Sequence, residues 1–293
     1  MFLAFVLYFL TSFSFILIKE SLFFAKPFFL VALRLLLAGS LLLAYHKFFQ
    51  RKNFAIARKD YWLFLLVSLL SVCITNCLDI WSLQYLFAAK VALIYTLTPF
   101  VGALISAIMF KEYLSRTKWI GLLIGFAGIL PVILYGGQMG AFSTADLAVV
   151  ISAFTTVIGW SAVKELVQNR SYSPIIVNGV TLFIGGCFAL LFSVLTELWH
   201  PLPVFNGLYC FVFVIASALV AHIISYNLYG YLLRRYNMIF MTFLSLTSPL
   251  FTAILGRLFL QEQVTGAFYI SLIMLSVGLF IFYKNDLTLL RKK

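Results

Sequence analysis

Ten apolar runs, each long enough to cross a bilayer as a helix, constrain this chain more than any other feature. About 20 helical residues span the roughly 30 Å of hydrocarbon in a membrane. The runs fall at about 2–24, 27–46, 61–83, 87–110, 117–136, 145–164, 174–196, 207–232, 238–260 and 265–283. Lipid offers no partner to backbone N–H and C=O groups, so each run must satisfy its own as a helix, whereas a barrel would need shorter alternating segments. Composition agrees: 63% of the 293 residues are hydrophobic and 10% are charged, against about 25% charged in soluble domains. Mean hydropathy is +1.07. The chain reads as an all-α integral membrane protein with loops, such as residues 46–60, too short to fold as domains. Residues 1–10 lack a basic start and a small-residue cleavage site, and read as part of the first span, not as a removed signal peptide.

The net charge of +12 follows from topology and needs no nucleic-acid partner. Lys and Arg accumulate in cytoplasmic loops. With the N-terminus in the cytoplasm, 16 of the 21 basic residues fall on the inner side, among them Arg51, Lys52, Arg58, Lys59, Arg234 and Arg235. The outer side holds Lys19, Lys26, Lys90 and Arg257, and Arg34 lies inside the second span. Both termini are therefore expected in the cytoplasm, in a bacterial inner membrane. Cys73, Cys77, Cys187 and Cys210 all fall in spans and read as buried thiols.

The chain also looks duplicated. Residues 98–114, TPFVGALISAIMFKEYL, share a pattern with residues 248–264, SPLFTAILGRLFLQEQV. Pro99 and Glu112 shift to Pro249 and Glu262 by the same 150 residues (249 − 99 and 262 − 112), and Gly128 and Gly278 each follow their glutamate by 16. Thr11, Phe15, Lys19 and Glu20 pair with Thr156, Trp160, Lys164 and Glu165 at an offset of 145, and Thr75 and Trp81 pair with Ser225 and Tyr231 at 150. The expected division is residues 1–140 and 141–293, five spans each. Five is odd, so the second half enters the bilayer upside down. Two inverted halves can exchange conformations and open a midplane site to either side in turn, the logic of alternating access. A duplicated scaffold without transport is the plainer alternative.

The ten spans, Pro27-x6-Arg34, Lys19 closing the first span, and the paired Pro-x12-Glu segments followed by glycines resemble the EamA branch of the drug/metabolite transporter superfamily over nearly the whole chain. The resemblance implies a secondary transporter whose cavity is lined by the first four helices of each half, with the fifth and tenth packing outside. The chain departs from the pattern in three places. No arginine follows Pro174, Lys90 stands where a small residue is usual, and Asp79 is an acid deep in the third span. These departures are candidates for encoding the substrate.

In the third span Ser68, Ser71, Thr75, Asp79 and Ser82 recur at spacings of 3, 4, 4 and 3, a polar stripe that faces either a neighbouring helix or a cavity. A carboxylate inside a membrane costs about 2.5–3.5 kcal/mol on insertion scales and is a functional candidate by default. Asp79 is read as binding a cationic group on the substrate, as carrying a coupling proton, or as pairing with Arg34. The eighth span offers His222, Ser225, Tyr226 and Tyr229, with His222 either a proton relay or an interhelix contact. Phe15, Trp81, Tyr95, Trp160, Tyr226 and Tyr229 are candidate aromatic walls for a planar or cationic ligand. The expected substrate-binding set is thus Phe15, Arg34, Thr75, Asp79, Trp81, Tyr95, Trp160, Ser225, Tyr226 and Tyr229, with Asp79 and His222 as proton-coupling residues. Pro99 and Pro249 remove backbone hydrogen bonds and are read as hinges or as fixed kinks. Lys19 and Lys164 either snorkel to the interface or line the pathway, with Glu20 and Glu165 as neighbours able to pair with them.

An acid among flat apolar groups favours a cationic or zwitterionic metabolite, such as an amino acid or S-adenosylmethionine. A drug or amine efflux carrier of the same fold is the alternative, and an intramembrane enzyme or a channel is a more distant one. His46, His200 and His222 form no HExxH motif, and no phosphate-cradling loop appears. No enzyme activity, catalytic residue, cofactor, metal site or nucleic-acid partner is expected. The expected partners are a small-molecule substrate, the lipid bilayer, and protons or a counter-substrate.

Overall fold

The computed structural model describes residues 2–50, 56–109, 114–135, 142–233, 236 and 238–290. Among them, ten helices are long and apolar enough to cross a membrane, one for each run read from the sequence: α1 (Phe2–Ser21), α2 (Pro27–Phe49), α3 (Arg58–Leu83), α4 (Ala88–Ile105), α5 (Arg116–Leu134), α6 (Thr144–Val167), α7 (Pro174–Thr196), α8 (Gly207–Ser225), α9 (Met241–Phe259) and α10 (Gly266–Lys284). Strand-type pairing among the described residues is limited to one isolated bridge, Ala25 with Val204. Glu112 and the expected boundary at residue 140 lie outside the described residues.

The chain divides into two compact units: Met1–Ile16, Leu86–Ala153 and Leu228–Lys293 form one, and Leu17–Tyr85 with Phe154–Asn227 form the other. In the first unit α5 packs on α10 and α4 on α9. Glycines set the α5–α10 approach: a Cβ on Gly278 would stand 2.6 Å from the Gly125 backbone nitrogen, and one on Gly121 would stand 2.5 Å from that of Phe282. Small residues at such a crossing let two backbones close to van der Waals contact where lipid gives no hydrophobic drive. The start of α1 is tied to α9 by Tyr8, whose hydroxyl donates to the Met241 carbonyl at 2.6 Å, and by Ser12, which bonds the Ser248 carbonyl at 2.9 Å.

In the second unit α2 packs on α7 and α3 on α7. Gly39 meets the backbone of Phe183, Gly186 meets Leu36, and Gly185 meets Val72. The end of α6 crosses α3 where Gly159 leaves room for the Ser71 side chain. Both α3 and α8 carry an eight-residue π-helical stretch, Val67–Ile74 and Ala218–Ser225. Each stretch is followed or closed by a hydroxyl that bonds the carbonyl five residues back, Thr75 to Leu70 at 3.0 Å and Ser225 to Val220 at 2.7 Å. Such π insertions recur at functional sites.

Helix ends buried in a membrane protein need partners for their orphan N–H groups, and carboxylates supply them. Glu197 accepts from the Phe28 and Phe29 nitrogens at 2.8 and 2.9 Å, closing the start of α2. Glu262, 4% exposed, accepts from the Ala88 nitrogen at 3.0 Å and closes the start of α4. Asp60, 2% exposed, joins Arg170 at 2.9 Å and Tyr172 at 2.7 Å. The hydrogen bond from Arg170 to Glu165, helped by Asp60, holds the Arg170 guanidinium above its usual range. Glu165 therefore bonds Asn169 and Arg170. Cys73, Cys77 and Cys210 are buried free thiols, but Cys187 is exposed, because it lies on the face of α7 that also exposes Phe183.

Both prolines follow helix interruptions. The helix Ala88–Tyr95 ends two residues before Thr98–Met109 begins, with Pro99 in the first turn of the second piece. Met238–Ser245 ends before Thr247–Phe259, with Pro249 again in the first turn. A proline there lacks an N–H that would be an orphan anyway. The Thr98 hydroxyl donates to the Tyr95 carbonyl that Pro99 leaves open, and the Thr247 hydroxyl donates to the Leu244 carbonyl at 2.6 Å.

Candidate functional site

The second unit gathers most of the polar residues that the sequence singles out. Arg34, on α2, is 4% exposed. Its Nη2 donates to Asn76 Oδ1 on α3 at 2.6 Å, and Asn76 Nδ2 donates to the Val72 carbonyl one turn back at 2.8 Å, which fixes the amide. Arg34 Nε and Nη1 have no hydrogen-bond partner among the described residues. Tyr226, Asp79 and Cys77 lie within electrostatic range of the guanidinium, and so does His222 on α8. His222 is 3% exposed, its ring meets Tyr226 edge-on at 5.3 Å, and neither of its nitrogens has a hydrogen-bond partner among the described residues. The arrangement presents a fixed cation, a carboxylate, an imidazole and a phenol within a few helical turns of one another, a set suited to a ligand carrying both charges.

Around this cluster the hydroxyls have structural partners. Thr75 bonds Thr155 at 2.7 Å as well as its own helix, and Ser68 and Ser82 bond carbonyls four residues back. The polar stripe of α3 thus serves packing against α6 through Thr75, while Asp79 lies within electrostatic range of Arg34. Trp81 packs edge-on against Tyr85 at 5.1 Å, and Trp160 is 45% exposed. In the first unit, Phe15 and Tyr95 meet at 6.3 Å, and Tyr229 packs on the cluster of Ala4, Leu7, Tyr8, Leu232 and Met241.

Lys90 has a structural role that its unusual position in the sequence did not reveal. Its ammonium pairs with Asp146 at 2.7 Å in the first unit, where the two are 1% and 0% exposed. Asp146 also accepts from the Ser143 nitrogen and hydroxyl at 2.9 and 2.8 Å, a reciprocal cap at the start of α6. Asn76 escaped the sequence reading because it falls beside the hydroxyl stripe and not on it. An amide inside an apolar span was the signal that could have found it.

A family model described as the EamA-like transporter family matches residues 1–134 and again residues 143–284. The chain belongs to that family. This EamA-like transporter is 30% identical to the S-adenosylmethionine/S-adenosylhomocysteine transporter of Chlamydia muridarum (strain MoPn / Nigg), over 97% of this chain and 92% of the relative. It is 28% identical to the protein of the same description from Chlamydia trachomatis serovar L2, over 97% of this chain and 89% of that one. A solved crystal structure, 17% identical, superposes with a TM-score of 0.62 over 98% of this chain and 96% of its own. That likeness shows the fold. The EamA-like transporter is accordingly a multi-pass integral membrane protein, with ten helices among the described residues long and apolar enough to cross the bilayer.

Proposed function

We propose that this EamA-like transporter exchanges S-adenosylmethionine for S-adenosylhomocysteine across a bacterial inner membrane, as a secondary carrier working by alternating access. The observation that carries the reading is the near full-length match, at 30% identity, to a transporter described by those two compounds. The buried cluster supports it. S-adenosylmethionine carries a sulfonium, an amino group and a carboxylate, and Arg34 and Asp79 supply one charge of each sign within electrostatic range of one another.

Under this reading, residues 1–140 and 141–293 are inverted repeats. The matching π stretches of α3 and α8, and the interrupted helices that precede Pro99 and Pro249, support a duplicated design. The prolines mark the places where each half bends. Both termini face the cytoplasm in this reading, which the excess of Lys and Arg in the loops on that side supports. Asp79 faces the sulfonium, and the free energy comes from the counter-substrate, with Asp79 and His222 as the groups to test for a proton instead.

A thermal-denaturation series on the purified protein tests this, since a ligand that binds the folded state raises the melting temperature by mass action. S-adenosylmethionine and S-adenosylhomocysteine should both stabilise it, and simple amines should not. Because only the first ligand carries the sulfonium charge, Asp79→Asn should weaken it about tenfold, equivalent to about 1.4 kcal/mol, and leave the second nearly unchanged. Stabilisation by amine drugs alone would favour an efflux carrier.

A further inference from the structure

Arg34 is a buried cation with most of its hydrogen-bonding capacity unspent. A guanidinium has five N–H donors and cannot be deprotonated in a protein. Its hydrogen bond among the described residues runs from Nη2 to Asn76 at 2.6 Å, while Nε and Nη1 have no hydrogen-bond partner. Buried polar groups in native structures are almost always paired, and a charged donor left open costs more than a neutral one. His222 repeats the pattern beside it, 3% exposed with both ring nitrogens unengaged. Two elements, α2 and α8, therefore present open polar atoms to one place in the second unit, and α3 fixes the orientation of the fork through Asn76.

We propose that the open donors of Arg34 receive the carboxylate of the substrate's amino-acid end, with His222 as a second polar contact and Asn76 as a positioning residue. Planar guanidinium donors match a carboxylate in geometry as well as charge, and the carboxylate would complete a set that the protein leaves unfinished. The assignment deepens the proposed exchange and rests on it. S-adenosylmethionine and S-adenosylhomocysteine share the amino-acid end and differ at the sulfur, so an anchor on the carboxylate holds both and lets one replace the other. Compounds that keep the adenosine and lose the carboxylate should be rejected, because they leave Arg34 open.

Calorimetric binding of four ligands to the purified full-length protein decides this: S-adenosylmethionine, S-adenosylhomocysteine, decarboxylated S-adenosylmethionine and methylthioadenosine. S-adenosylmethionine should bind at least about tenfold more tightly than its decarboxylated form, and S-adenosylhomocysteine at least about tenfold more tightly than methylthioadenosine. Arg34→Gln should bring the two members of each pair to within about threefold of one another. Asn76→Ala should narrow the gap part-way. If Arg34→Gln fails to fold, Arg34→Lys, which keeps the charge and loses the fork, should narrow the gap as well. Equal binding within each pair by the unaltered protein, or a gap that survives in the Arg34 variants, overturns the assignment and leaves the exchange reading standing. Failure of both carboxylate-bearing compounds to bind at all overturns the exchange reading, and the assignment with it.

Discussion

Lys90 and Asp146 stand 2.7 Å apart and are 1% and 0% exposed, so neither charge has water to fall back on. Removing one partner of such a pair leaves an uncompensated buried charge and typically costs about 3–5 kcal/mol, whereas replacing both with apolar groups of similar size is often neutral. Lys90→Met should therefore lower the melting temperature in detergent markedly, and Lys90→Met with Asp146→Leu should recover most of the loss. A double variant as unstable as the single one would mean that Asp146 matters mainly through its cap on Ser143. Lys90 was visible in the sequence as an oddity, yet its partner lies 56 residues on (146 − 90), and no local pattern connects them. The same holds for Glu197, which caps α2 from far along the chain. Arg34, Asp79 and His222 were legible for the opposite reason. A charged or imidazole side chain in a run of apolar ones is conspicuous whatever it touches.

At the level of helices, what the sequence made plain was length and polarity, because the bilayer demands both. Interruptions were less plain. The prolines announced a break in α4 and α9, but the breaks precede them and are stabilised by Thr98 and Thr247, residues that read as ordinary apolar-span hydroxyls. The π stretches of α3 and α8 left no readable mark, since one extra residue in a turn does not disturb an already apolar run. Helix contacts follow the glycines. On α10, a side chain at Gly278 would collide with the backbone of α5, where nothing flexible can yield, while one at Gly266 would meet nothing within 4 Å. Gly278→Val should destabilise the protein by about 1–3 kcal/mol, in line with overpacking elsewhere, and Gly266→Ala should leave its melting temperature unchanged. Equal tolerance at both positions, measured by thermal denaturation, would contradict the packing of α5 on α10.

For the whole molecule, the proposed function rests on an odd number of spans in each half, which would turn the second half over. Reporters fused after Lys52 and after Arg235 should both read cytoplasmic, and one after Gln138 should read external. These sites lie outside the described residues, so the fusions probe topology independently of the fold. An even number of crossings between Lys52 and Gln138 would remove the inversion and with it the structural basis for alternating access. Substrate identity was the least legible property, since pocket chemistry varies on a shared scaffold. The sequence narrowed it to cationic or zwitterionic metabolites, and the relatives supply the sharper proposal. The most direct test is counterflow in sealed vesicles carrying the purified protein and loaded with unlabelled S-adenosylhomocysteine. Labelled S-adenosylmethionine supplied outside should accumulate transiently above its external concentration, and should do so without an imposed proton gradient. Absence of that overshoot in vesicles that exchange another metabolite, or its strict dependence on a proton gradient, would contradict the account.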